Sequence, residues 1–572
     1  MLDVLIRGGT VLDGTGAPAR IADVAVRDGK VVGVGPTDEP AARTVDAAGL
    51  MVAPGFVDIH THYDAQLAWD PTASPSTLHG VTTVLGGNCG FSLAHSGPEH
   101  ADYLMRLMAR VEGMPLAALE KGLAWNWRGF GDWLATLEGR IGVNAGFLVG
   151  HSALRRVVLG DSSNDGEGAG GEAVAAMVAQ LHEAIEAGAL GFSTSQAHTH
   201  NDGSGAPVPS RSADRSELLA LAGALAGHEG TTLELILPGC VNGFNDEEVD
   251  LMAALSATAR RPANWNVLAV TSLDPDGWRR QLEASTYAAA RGGRVMALTL
   301  PYSMSIRLSF LTGSVIDGLP GWAPVLGLPV EERIRALSEP EVRRRMAEGA
   351  ASPEAGVLGY LARWHRLEIL ETFSPLNEGL EGRRIGDVAK ERGQDAFDTL
   401  LDIVVADGLR TGLRPQMPQA TEEDWRLRAQ SWRDPRTVVG GSDAGAHLDM
   451  MCGAVYSTSL LASVRDHATV TWEEAVHQLS DVPARLYGLT GRGRLVPGGQ
   501  ADVVLFDPER VGPDRERTLD DLPGGASRLY AGAHGVEHVL VNGTAVVTDG
   551  RVTGALPGTL MRSGRDTETV LP

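Results

Sequence analysis

Residues 52–64 read VAPGFVDIHTHYD, an apolar run that stops at a pair of histidines. Val52, Phe56, Val57 and Ile59 predict a buried strand, with Pro54 and Gly55 as turn residues beside it and His60 and His62 at its end. Side chains at i and i+2 of a strand point the same way, so both imidazoles can face one point in space. Two neutral nitrogens held rigidly on one side are what a divalent metal needs. The same pair also reads as two ordinary histidines near the end of a buried strand, and the flanking sequence has to decide.

Outward from this stretch lies a series of apolar runs, several of them followed by amphipathic helical patterns, the spacing of a parallel βα barrel. Eight runs qualify: Val52–His62, Val81–Cys89, Val143–His151, Ala189–Ser195, Thr231–Leu237, Trp265–Val270, Arg294–Leu300 and Thr437–Asp443. Helices are expected over Glu172–Ala187 and Asp214–Gly227. The expected fold class is therefore α/β, a (β/α)8 TIM barrel over residues 52–480. A long insertion, about 301–430, separates strands seven and eight, and Glu331–Leu337, Glu341–Ala347 and Ala355–Glu368 within it read as helices. An insertion after a barrel strand lies on the catalytic face, so it is expected to act as a lid or specificity subdomain, with a solvated surface excursion as the alternative.

Short β-type segments at Val4–Ile6, Ile21–Val26 and Val31–Val34 are too few to bury a sheet alone. Segments of the same character recur at Ala501–Phe506, Val536–Val541 and Thr544–Val547, so residues 1–51 are expected to find their partners in residues 481–572.

The stretch PGFVDIHTHYD, with Asn88, Cys89 and Gly90 closing the second run, resembles the first-strand signature of the amidohydrolase superfamily. More narrowly it is similar to the D-aminoacylase (N-acyl-D-amino-acid deacylase) branch. The resemblance runs from DVLIRGGTVLDGTG to GGQADVVLFDPERV, nearly the whole chain. It implies the barrel with one small β-sandwich built from both chain ends, and hydrolysis of the C–N bond of an N-acyl-(D-)amino acid. It also implies a zinc site with Cys89 as a ligand and an essential aspartate at the end of strand eight, where SDAGAH places Asp443. One departure stands out: the histidines that relatives carry at the ends of strands five and six are missing. Here those ends offer Glu234 and Asn266 or Thr271, and no lysine ends strand four.

Barrel enzymes draw their chemistry from strand ends, so the polar residues there are the site candidates. The metal candidates are His60, His62, Cys89, Asp443 and His200 from the loop after strand four, where His198 also lies; one zinc ion is expected rather than two. His60, His62 and Asp443 alone give three protein ligands and an open position. Catalytic candidates are Asp443, as the base that takes a proton from the attacking water, and His151, as a donor to the scissile carbonyl or a holder of the substrate carboxylate. Arg155, Arg211, Tyr63 and Ser195 are candidates for holding the substrate. Two other readings stay open: the same scaffold acting on a cyclic amide or ester or catalysing a non-hydrolytic step, and a metal-free binding protein.

Lys+Arg of 49 against Asp+Glu of 72 leaves a net charge of -23, which argues against nucleic acid and anionic membrane surfaces as partners. Three cysteines form no disulfide framework and no apolar targeting segment opens the chain, so a cytoplasmic location and a small-molecule substrate are expected; a homo-oligomer is left open. GRGRLVPGG does not follow a strand as a dinucleotide loop would, and GGSDA does not fit a serine-hydrolase elbow.

Overall fold

The structure, a computed structural model, describes residues 1–572 apart from 167, 304–305, 314 and 416–419, and at 241, 242 and 357 it describes the backbone only. Parallel pairing runs from β1 (Phe56–Asp58) to β2 (Val81–Gly86) and on to β3, whose first half is Asn144–Phe147. The second half of β3, Val149–Gly150, carries the ladder to β4 (Gly191–Ser195), β5 (Thr232–Ile236), β6 (Ala263–Leu268), β7 (Val295–Thr299) and β8 (Thr437–Val439). The ring closes beyond the last residues of β8 and β1, through a parallel bridge between Thr61 and Ala444. There the Asp443 amide donates to His60 O at 3.2 Å and the His62 amide to Ala444 O at 2.7 Å. The closing seam of the barrel is thus made by the backbone of the residues that carry the candidate ligands.

The expected first strand, Val52–His62, is two strands in different sheets. Met51–Pro54 pairs antiparallel with Val503–Phe506, joining the two chain ends, and only Phe56–Asp58 belongs to the barrel. Gly55 makes the switch possible, because a Cβ there would overlap the Thr82 side chain. The sheet built from both ends has nine strands, with Leu2–Val11 paired to Arg20–Arg27, Ala41–Asp46 and Met51–Pro54, and with Val536–Val541, Thr544–Thr548 and Arg551–Val552 beyond Val503–Phe506. Its apolar face buries Val4, Ile6, Val24, Val26, Val503 and Leu505.

The helices that matter for the site are α1 (Ala101–Val111), in the long β2–β3 connection, α2 (His151–Leu159), α3 (Gly171–Glu186) and α4 (Arg215–Leu225). α4 starts where expected because the Asp214 carboxylate accepts the Glu217 amide at 2.9 Å, an N-cap bond that satisfies one otherwise unpaired helix donor. Residues between β7 and β8 have a core of their own, with Phe310, Trp322, Leu337, Trp364, Ile369 and Leu400 buried together and Trp322 stacked on Trp364 at 5.4 Å between ring centres. Helices cover Val330–Ser338 and Pro340–Ala351. The helix expected over Ala355–Glu368 is instead two 3-10 segments, Pro353–Tyr360 and Trp364–Arg366, and Glu368 opens a strand, Glu368–Glu371, paired with Gly412–Arg414. Gly356, with φ +51°, interrupts the helical path there.

Candidate metal centre

At the seam, Asp443 Oδ1 lies 3.1 Å from His60 Nε2 and 3.5 Å from His62 Nε2. Cys89 Sγ is 3.4 Å from the same His60 nitrogen. His60, His62 and Cys89 each place a donor atom within 4.8 Å of the others, the one such group among the described residues. Both imidazoles are wholly buried, whereas the Asp443 side chain is 21% exposed and so is the part of the cluster open to a ligand. Cys89 and Asp443 both adopt left-handed backbone, φ +56° and +55°. Such a conformation costs a non-glycine residue on the order of 1–3 kcal/mol and persists where the surroundings enforce it.

Four further carboxylates surround the cluster. Glu234, at β5, accepts the Cys89 amide at 2.8 Å through Oε2 and sets Oε1 3.9 Å from His60 Nδ1. Glu112, at the C-terminal end of α1, lies 3.6 Å from His62 Nδ1 and 3.9 Å from His447 Nε2. Asp58 accepts Ser442 Oγ–H at 2.5 Å, and Asp64 accepts the Gly87 amide at 3.0 Å. Burial pushes the Asp58 and Glu234 carboxyls up to about 7 and Asp64 to about 6. Burial also works against ionisation of Asp443, yet its contacts with His60 and His62 hold it well below the usual carboxylate range. Against its own burial, His62 is raised to about 9 by Glu112, Asp443 and Asp64. Burial, reinforced by Glu234, Glu112 and Asp443, pushes the Cys89 thiol well up.

These residues fit a dication. His62 Nε2, the ring nitrogen turned toward Asp443, is buried without a hydrogen-bond partner. Unpaired polar atoms of this kind are uncommon in a folded interior and call for a partner. A thiol, two imidazoles and a carboxylate make up a donor set that zinc accepts. Asn266 Oδ1, on β6, is likewise unpaired and is aimed at Gly441, where a Cβ would overlap it.

The remaining sequence candidates do not join this cluster. His151 opens α2 rather than ending a strand, and its ring nitrogens go to Thr194 Oγ1 and Glu217 Oε1, each at 2.8 Å. Thr194 faces away from Ser193 and Ser195 because strand side chains alternate, so His151 lies between β4 and the helices around it. Arg155, one turn along α2, is 0% exposed and its Nη1 pairs with Glu217 Oε2 at 2.5 Å. Tyr63 is also buried, its hydroxyl 2.7 Å from Ser76 Oγ. These three lie apart from the His60–His62–Cys89 group, each bonded to other buried side chains. Ser195 Oγ holds His200 Nδ1 at 2.8 Å, and Arg211 donates to His200 O at 3.1 Å. His200 is therefore fixed at the rim, outside the His60–His62–Cys89 donor group; burial lowers it to about 4. Sequence reasoning missed Glu112 and Asp58. Asp58 keeps the i, i+2 spacing of the two histidines, a signal that was there to be used; Glu112 sits in an ordinary helical stretch and gave none.

Residues 43–547 match the Amidohydrolase family, and the chain belongs to it. It is accordingly a hydrolase of carbon–nitrogen bonds other than peptide bonds. Over 557 residues it is 30% identical to an uncharacterized protein of Mycobacterium tuberculosis, spanning 93% of this chain and 88% of that one. The D-aminoacylase of Alcaligenes xylosoxydans xylosoxydans is 28% identical over 567 residues, 98% of this chain and 97% of its own. The crystal structure of N-acyl-D-glutamate deacylase from Bordetella bronchiseptica, complexed with zinc and a phosphonate that mimics the tetrahedral intermediate, aligns with a TM-score of 0.62 at 26% identity, covering 98% of this chain and 100% of that one.

Proposed function

We propose that the protein removes the acyl group from an N-acyl-D-amino acid, with one divalent ion, zinc, held by His60, His62, Cys89 and Asp443. The observation that carries this reading is the convergence of His60 Nε2 and His62 Nε2 on Asp443 Oδ1, at 3.1 and 3.5 Å, across the barrel seam. The deacylases named among its relatives support the substrate class. A bound dication supplies Lewis acidity, acidifying water and polarising a carbonyl. Asp443 begins ionised, takes the proton of the attacking water and passes it to the departing amine.

A cavity of about 410 Å³ is lined by Gly113, Met114, Arg307, Arg410, Asp449 and Arg528. Gly113 follows Glu112, and a Cβ on Gly113 would lie 3.1 Å from His447 Cα and 3.2 Å from Asp449 Oδ1, so this part of the cavity wall meets the loop that carries His447. Arg307 is 8% exposed, binds Thr518 and Glu371, and keeps Nε unpaired. We assign the substrate carboxylate to this cavity, the role expected of Arg155. Among the described residues no helix is long and apolar enough to cross a membrane; action on a small molecule in the cytoplasm completes the proposal.

The test is a panel of N-acyl-D- and N-acyl-L-amino acids assayed for free amino acid with the zinc-loaded protein. Release from the D series is expected, and Asp443→Asn should lower it by about 10²–10⁴-fold. No release from any member, with ring opening of a cyclic amide instead, would replace the deacylase reading.

A further inference from the structure

The two seam histidines are built alike. Each directs Nε2 to Asp443 Oδ1, and each has Nδ1, on the other side of the ring, facing a carboxylate from a separate part of the chain. For His60 that carboxylate is Glu234 at 3.9 Å, and for His62 it is Glu112 at 3.6 Å. Both carboxylates are nearly or fully buried, Glu234 at 0% and Glu112 at 3% exposed. Neither Nδ1 has a hydrogen-bond partner, and Glu234 Oε1 has none either. Among the described residues no lysine or arginine forms an ion pair with Glu112 or Glu234; the contacts within ion-pair distance are to His60, His62 and His447.

We propose that Glu234 and Glu112 are positioning residues that hold His60 and His62 with the proton on Nδ1, leaving Nε2 as the lone-pair donor toward the centre. A carboxylate behind a ligating imidazole fixes its tautomer and orientation and makes it a stronger base. Their neighbours fix the two carboxylates in turn. Glu234 is anchored by the Cys89 amide at 2.8 Å, which ties the β5 carboxylate to the residue that carries the thiol donor. Glu112 is anchored through its own main chain, whose carbonyl accepts the His447 amide, so the loop after β8 and the end of α1 move together. The inference rests on the metal-centre reading above and extends it to two residues that touch neither substrate nor ion.

The test uses full-length protein stripped by chelation, then titrated with Zn²⁺ against a competing chromophoric chelator and, separately, with Co²⁺ followed by visible absorption. Glu112→Gln and Glu234→Gln should each weaken Zn²⁺ affinity by about 10–100-fold, with the bound stoichiometry and the Co²⁺ band shape as in the unaltered protein. A changed Co²⁺ band shape or a lost equivalent would make the glutamate a direct ligand and overturn the proposal. Unchanged affinity in a variant that melts normally would also overturn it, leaving only a packing role. Should either glutamine variant fail to fold, Glu112→Asp and Glu234→Asp keep the charge but withdraw it by one methylene, and their Zn²⁺ affinity is read the same way. Failure of the unaltered protein to bind Zn²⁺ would remove the metal centre itself, an outcome distinct from failure of the glutamate variants alone.

Discussion

Two buried histidine–glutamate clusters lie within this barrel, and they differ in how completely their polar atoms are paired. In the first, between β4 and α2, His151 has a partner on each ring nitrogen and Glu217 bridges it to Arg155. In the second, at the seam, His60, His62, Glu234 and Glu112 hold the same side-chain types, but three ring nitrogens and a carboxylate oxygen are unpaired. A buried polar group without a partner is destabilising by roughly 1–3 kcal/mol, so a fold keeps several together where something else binds them. The first cluster is complete without a ligand; in the second, His62 Nε2 has no partner and faces the proposed cation.

The largest effect that would sharpen this contrast is on stability. Glu217→Ala leaves the buried Arg155 charge and His151 without their shared partner and should destabilise the fold by about 3–5 kcal/mol in denaturant titration, with Zn²⁺ stoichiometry unchanged in the folded fraction. Loss of zinc binding in that variant would break the separation between the clusters. Next in size, Zn²⁺ at about a hundredfold its Kd should stabilise the stripped protein by about 2.7 kcal/mol, read from thermal melts, and His60→Ala should remove that gain.

The smallest effect is on pH dependence. In the metal-free protein His62 is raised to about 9, so its stabilising contribution is complete below the unfolded value near 6.5 and is lost as pH climbs through about 9. Zinc requires His62 and the Cys89 thiol deprotonated, so loading releases protons and apparent affinity should rise with pH over that window. The gain is up to about tenfold per pH unit, or about 1.4 kcal/mol, for each proton released. Affinity flat between pH 6 and 9 would mean the two groups are not ligands.

Much of the architecture could be read from patterning. The eight apolar runs, the helix after Asp214 and the pairing of the two chain ends follow from period-two and period-3.6 patterns that burial enforces residue by residue. The split at Gly55 was not legible, because VAPGFV is equally apolar whether it feeds one sheet or two and only the Thr82 side chain forces the glycine. In the site, His60 and His62 stood out at the end of an apolar run, whereas Cys89 and Asp443 stood out through the resemblance carried by NCG and SDAGAH. His151 and Arg155 lie away from the seam for a physical reason. The strand stops at Gly150, so their i, i+4 spacing aligns them on one face of α2 against Glu217 instead of at the mouth of the barrel.

By itself the sequence determined which residue types end the barrel strands, and hence that two imidazoles, a thiol and a carboxylate were available to one centre. Those facts are local, written in hydrophobic period and turn chemistry. Tertiary structure alone decided which polar residues are consumed by one another and which are left unpaired. That outcome depends on the parallel Thr61–Ala444 closure, and on a helix end that brings Glu112 to His62 from fifty positions along the chain. Pairing in the interior is settled by distance in space, and no separation along the sequence encodes it.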